Sequence, residues 1–241
     1  NGPQPNYYDV KEGQLKHLQA EETIYAVSDG GGCNVSEISL NIHCSGTHTE
    51  CVGHLLENVG DIGMVLKDIM IPVVLITVGP RSFVNSRDSY HCDVSDNEKV
   101  ISRESIKNEV EKWEEYQPKA LVIRTTPNPE KKKYYRYTQH PPPFFTNDSL
   151  RFITSFGIQH LAVDLPSIDR MEDNGILGNH RIFWGDGVTA VGDVNPESTK
   201  TITELVFIPD DVRDGFYFLN LQLPHFVCDA AHSRPILIKS V

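Results

Sequence analysis

His43–His54 reads HCSGTHTECVGH and holds three of the chain's ten histidines, two of its five cysteines and a glutamate. That density of imidazole, thiol and carboxylate points to metal or acid/base chemistry. The run before it, Ile38-Ser39-Leu40-Asn41-Ile42, is strand-like. An extended chain through both stretches puts Ile38, Leu40, Ile42, Cys44, Gly46, His48 and Glu50 on one face and His43 on the other. Thiolate, imidazole and carboxylate are all ligands for a borderline ion such as zinc. Cys44, His48 and Glu50 are therefore candidate ligands, with Gly46 leaving a gap between them. Cys51 points the other way and reads as packing.

Ser45-Gly46-Thr47-His48-Thr49-Glu50, closing at His54, resembles the HxGTHxDxPxH signature of the cyclase-like metal-dependent hydrolases. That family includes bacterial kynurenine formamidases and isatin hydrolases. In it the first histidine, the histidine after Gly-Thr and the aspartate bind metal, and the last histidine is the acid/base. The resemblance implies Cys44, His48 and Glu50 as metal ligands and His54 as the catalytic residue. Cys44 stands in place of a histidine, Glu50 of an aspartate and Val52 of a proline. The family adds a distant histidine and a glutamate twelve residues later. His180 resembles that histidine's setting, which makes it the fourth candidate ligand. Gly192 occupies the glutamate's position, and neighbouring Asp193 serves only if a bulge re-aims it. His160 competes for the ligand role from within a core-like strand.

Other stretches carry the same resemblance. Ala120–Thr125 is similar to the family's VLLRTG strand, Gly157–Asp169 to its GxxxVGIDTPSID stretch, and Leu223-Pro224 with Ser233-Arg234-Pro235 to its LPL…SPxRA segment. The match runs from residue 35 to residue 241, after an N-terminal arm over 1–34. It implies a single-domain α/β protein with the swivelling β/β/α fold, forming a homo-oligomer, commonly a dimer. It also implies hydrolysis of an amide C–N bond in a small molecule, in the manner of an arylformamidase. The metal is divalent: thiolate with imidazole favours Zn2+, and Mn2+ is the alternative. The rival reading is a catalytically inactive relative that binds a small ligand. Gly192 motivates it, and the retained His54 opposes it.

The net charge of -11, from 33 acidic and 22 basic residues, disfavours nucleic acid and anionic membranes as partners. Lys131-Lys132-Lys133, the only basic run, reads as a solvated loop. The odd, sparse cysteines suit reduced thiols in the cytoplasm. No 18-residue apolar span or signal-peptide core is visible.

Residues 1–30 read as an irregular arm. Buried strands are predicted over 71–78, 120–124 and 158–163, with further strands near 188–191, 204–208, 216–221 and 235–238. Helices are predicted over 102–116, 147–156 and 180–183. Asp164 and Asp169 read as turn-stabilising groups around Pro166-Ser167.

Overall fold

Ile71–Val78, IPVVLITV, is apolar at nearly every position because both its faces are covered. In the computed structural model, which describes residues 4–58 and 60–239, this strand lies within an eight-stranded sheet. Its strands are β1 His48–Glu50, β2 Ile71–Val78, β3 Ala120–Thr125, β4 His160–Val163, β5 Thr201–Glu204, β6 Gly215–Gln222, β7 Ala230–His232 and β8 Arg234–Ile238. Their order across the sheet is β7-β1-β5-β4-β3-β2-β6-β8. The four central strands β5, β4, β3 and β2 are parallel, and the two strands on each flank are antiparallel.

The edge strands β7 and β8 are joined by Ser233 alone. A one-residue link between the two edges obliges the sheet to curl until they meet. Ser233 ties the closure: its N–H donates to Thr47 O at 3.1 Å and its hydroxyl lies 2.8 Å from Thr49 Oγ1.

Three helices cover the outer face: α1 Arg103–Val110, α2 Asn147–Ser155 and α3 Gly178–Trp184. Ile106, Val110, Leu150, Ile153, Ile182, Phe183 and Trp184 pack there against Val74, Ile76, Leu121, Ile123 and Leu161. The alternate residues Val73, Leu75, Ala120, Val122 and Ala162 pack inside the curl with Leu219 and Leu221. Ser102 and Thr146 cap α1 and α2 by accepting the Ser105 and Ser149 N–H groups.

Four expectations are corrected. Residues 188–191 form no strand, because the Asp186 carboxylate accepts the Val188 and Thr189 N–H groups and turns the chain. The strand expected over 204–208 instead ends at Glu204, where Leu205 takes a left-handed conformation with φ 54°. Lys132 is not a solvated loop residue, since its ammonium donates to Thr125 O and Asp164 at 2.8 Å. The arm is not wholly irregular: Gln14–His17 pairs with Ser36–Ser39 in an exposed ribbon, and Asn6 bridges to Tyr135 and Tyr137. Among the described residues no helix is long and apolar enough to cross a membrane.

Candidate metal centre

The predicted extended run from 38 to 50 is broken at Asn41. Its side-chain oxygen accepts the Cys44 N–H at 2.9 Å, and the chain turns over 42–44 before entering β1. This turn reverses the expected roles of His43 and Cys44. His43 swings towards Glu50, with Nδ1 3.1 Å from Oε2. The Cys44 thiol packs beside Tyr7, Tyr137 and Leu205 and, among the described residues, belongs to no group of converging donor atoms. Burial and the Glu204 carboxylate push it up to about 11, so it stays a thiol. Cys44 lines the cavity, but the structure does not bring it to the ligand position assigned from the sequence.

Strand geometry assembles the buried half of the centre. His48 and Glu50 share a face of β1, and the register places Glu204 of β5 directly opposite His48. α3 brings His180 over that face. The His180 Nδ1 and its own N–H both donate to Asp169, at 2.7 and 3.2 Å. His180 Nε2 then lies 2.9 Å from Glu50 Oε1 and 3.7 Å from Glu204 Oε1. Burial alone would raise Glu50, but the imidazoles of His54, His180 and His43 outweigh it and hold the carboxyl well below its usual range. Burial and the Glu50 charge push Glu204 up to about 8. Burial opposes charge on His180, yet its bonds to Asp169 and Glu50 raise it well above an ordinary imidazole.

His48 is the telling residue. Its Nδ1–H donates to Gly46 O at 3.0 Å, which leaves a lone pair on Nε2. Burial drives this histidine down to about 4, so it is neutral. The Nε2 is buried without a hydrogen-bond partner and faces Glu204 Oε2 across 3.6 Å. An imidazole lone pair facing a carboxyl away from water needs something positive between them, the proton that Glu204 holds or a cation. Imidazole and carboxylate donors converging on such a gap fit a divalent metal ion. His43, His48 and Glu50 form one converging set, and Glu50, His180 and Glu204 form a second that shares Glu50.

The other half faces the cavity. His54 sits in the single turn Val52–Leu55, held close because Gly53 packs on Gly60; a Cβ at Gly53 would meet Gly60 N at 2.3 Å. His54 Nδ1 is 3.0 Å from Asp229 Oδ2, and His43 Nε2 is 3.2 Å from the same oxygen. These contacts to His43 and His54 hold Asp229 far below its usual range. Burial works against charge on His43, but Asp229 and Glu50 overcome it and push it up to about 10. A cavity of about 450 Å³ opens onto His43, Glu50, His54, His180 and Glu204.

The structure thus brings His48, Glu50, His54 and His180 together and adds His43, Glu204 and Asp229. Glu204 follows His180 by twenty-four residues rather than twelve, because the loop between α3 and β5 is long. The only trace of Glu204 in the sequence is its place at the head of an apolar run. Asp193 lies exposed in that loop and does not substitute. His160 is remote: its nitrogens lie 2.9 Å from Thr201 Oγ1 and 3.2 Å from Asp68. Asp164 and Asp169 do not serve their own turn, since they anchor Thr125 with Lys132 and His180 with Asn179.

A further group, His91, Asp169 and Asp173, also converges. Its histidine offers no lone pair. Asn179 donates to Phe145 O and Ile168 O and accepts from Asn147, whose amide therefore donates to His91 Nδ1 at 3.1 Å. His91 Nε2 then carries the proton and faces Asp173 at 3.7 Å. This group braces the cavity wall.

The model of the family described as putative cyclase matches residues 5–170. The chain belongs to this family. It is 25% identical over 209 residues to a kynurenine formamidase of Bacillus anthracis, covering 87% of this chain and 81% of that one. A kynurenine formamidase of Bacillus thuringiensis subsp. konkukian is 26% identical over the same shares. Among solved structures, a novel cyclase superposes with a TM-score of 0.61 at 15% identity, over 99% of this chain and 85% of that one. Isatin hydrolase A of Labrenzia aggregata superposes with a TM-score of 0.60 at 13% identity, over 95% and 84%. These two likenesses establish the fold, an α/β architecture around a curled eight-stranded sheet.

Proposed function

We propose that this cyclase-family chain is a metal-dependent hydrolase of an amide C–N bond, related in chemistry to the arylformamidases. The observation that carries the reading is the orphaned Nε2 of His48 facing Glu204 beside Glu50 and His180. His43, His48 and Glu50, and Glu50, His180 and Glu204, are the two donor sets that would hold metal, which would supply Lewis acidity towards a water and an amide carbonyl. With no thiolate in the set, nitrogen and oxygen donors suit Zn2+ or Mn2+ alike. The formamidase relatives support the reaction class.

The residues divide the remaining work. Asp169 fixes His180 through Nδ1, and the Gly46 carbonyl fixes His48 through Nδ1, so each presents Nε2 to the centre. Asp229 accepts from His54 Nδ1 and leaves Nε2 as the nitrogen that takes and gives a proton beside the scissile bond. The inactive-relative reading was motivated by Gly192; against it stands Glu204 of β5, a carboxylate 3.7 Å from His180 that would take the missing place.

The test is a screen of formamides, cyclic amides and lactones with metal-loaded protein and its His54→Ala variant. His54→Ala is expected to keep its metal and its melting temperature while turnover falls by about 10²–10⁴-fold. Near-normal turnover would remove the proton carrier, and lost metal would make His54 a ligand.

A further inference from the structure

The cavity that opens onto the centre has an unusual charge balance. Four acidic side chains line it, Glu50, Glu172, Asp173 and Glu204, beside the imidazoles of His43, His54 and His180, and among the described residues no lysine or arginine does. The arginines nearest in sequence pair with no cavity carboxylate among the described residues. Arg170 forks onto Glu98 at 2.7 and 2.9 Å and donates to the Asp93 and Glu172 backbone carbonyls, and Arg181 donates to the Ile176 and Gly192 carbonyls. A divalent ion would offset Glu50 and Glu204, which leaves Glu172 and Asp173 as the cavity's remaining carboxylates. Asp173 is spent on that wall's own shape, since it accepts the Gly175 and Leu177 N–H groups. Glu172 is exposed, and its carboxylate makes no hydrogen bond or ion pair among the described residues.

Beside it stand Tyr7 and Tyr8, with ring centroids 4.1 Å apart, and the Tyr8 hydroxyl pins the wall by donating to Met171 O at 2.9 Å. Aromatic rings next to a carboxylate with no direct partner attract an ammonium group and repel a carboxylate.

We propose that the cavity selects amide substrates bearing a positive charge remote from the scissile bond and rejects those bearing a carboxylate, with Glu172 as the specificity-determining residue. The proposal rests on the hydrolase reading for its chemistry, though the selection is a property of binding.

The probes are three formanilides of one shape: 4-(aminomethyl)formanilide, formanilide and 4-formamidobenzoate. Protein loaded with Zn2+, and separately with Mn2+, is assayed for turnover and for binding by calorimetry. The expected order is ammonium, neutral, carboxylate, with about 10-fold between the extremes carried in KM rather than kcat. Glu172→Gln, at an exposed position, should narrow the spread by about 3-fold, and Glu172→Lys should reverse the order. A carboxylate probe that is handled equally well, or a spread unmoved in both variants, overturns the proposal. If none of the three turns over, the hydrolase reading fails for formanilides. The selection is then judged on dissociation constants alone: the same order upholds it, and a flat order or no binding overturns it.

Discussion

The two halves of the centre are made of the same side chains and hold them differently. In the inner half, His48, Glu50, His180 and Glu204 are all buried. In the outer half, His43, His54 and Asp229 are only partly covered, with side-chain exposures of 29%, 26% and 15%. Asp229 satisfies both outer histidines, whereas the His48 Nε2 inside has no hydrogen-bond partner among the described residues. Burial makes the inner half intolerant of an unpaired acceptor, so it calls for a cation. Access to the cavity lets the outer half exchange protons with whatever is bound there. One segment, His43–His54, feeds both halves because it contains a turn, a three-residue strand and a second turn in succession.

The comparison is most easily broken at His48. His48→Ala removes the lone pair that faces Glu204, and metal affinity should fall by more than about 100-fold, beyond the range seen when only an orienting partner is lost. Elemental analysis after dialysis against a buffered chelator measures this, and full occupancy in the variant would erase the distinction between the halves. Glu204→Gln should lower affinity by about 10- to 100-fold, while Asp193→Asn in the exposed loop should leave it unchanged. The reverse result would restore the sequence-based register.

Proton release sharpens the same contrast. Without metal, His43 stays an imidazolium up to about pH 10 and Glu204 keeps its proton up to about pH 8. His48 is already neutral above about pH 4. The metal-free form therefore binds more protons than the loaded form at neutral pH, and metal affinity rises with pH. The expected slope is about tenfold per pH unit for each proton displaced. His180, raised well above an ordinary imidazole, adds to that count. Calorimetry in buffers of different ionisation enthalpy counts those protons, and a count of zero near pH 7 would show that His43, His180 and Glu204 lie outside the centre.

The smallest effect is expected at Cys44. Cys44→Ser should alter metal content by less than about 2-fold, since the thiol is not among the converging donors. Iodoacetamide should label Cys44 equally slowly with and without chelator, because burial already keeps it a thiol. Fast labelling that appears only after chelation would return Cys44 to the ligand set.

Much of the architecture was legible in the chain itself. The apolar runs at 71–78 and 120–125 are strands buried on both faces, and the Ile106, Val110 and Leu150, Ile153 spacings are helices packed on them. The density of histidine around His48 marked a stretch worth inspecting, and the family resemblance named His48, Glu50, His54 and His180, which the fold brings near one another. Such features depend on local periodicity and composition, which a sequence carries directly.

What the tertiary structure decided lies beyond local pattern. Whether His43 or Cys44 faces Glu50 depends on one Asx turn at Asn41, and a single residue of register exchanges the two sides of a strand. Glu204 and Asp229 reach the centre from β5 and from the residue before β7, which flank β1 in the sheet but lie some 150 or more residues away in the chain. Nothing in the spacing of His180 announces Glu204, because a loop of free length separates them while hydrogen-bond register alone sets Glu204 opposite His48. Sheet closure through Ser233 completes the arrangement, since it brings together strands that follow one another in the chain from opposite edges of the sheet.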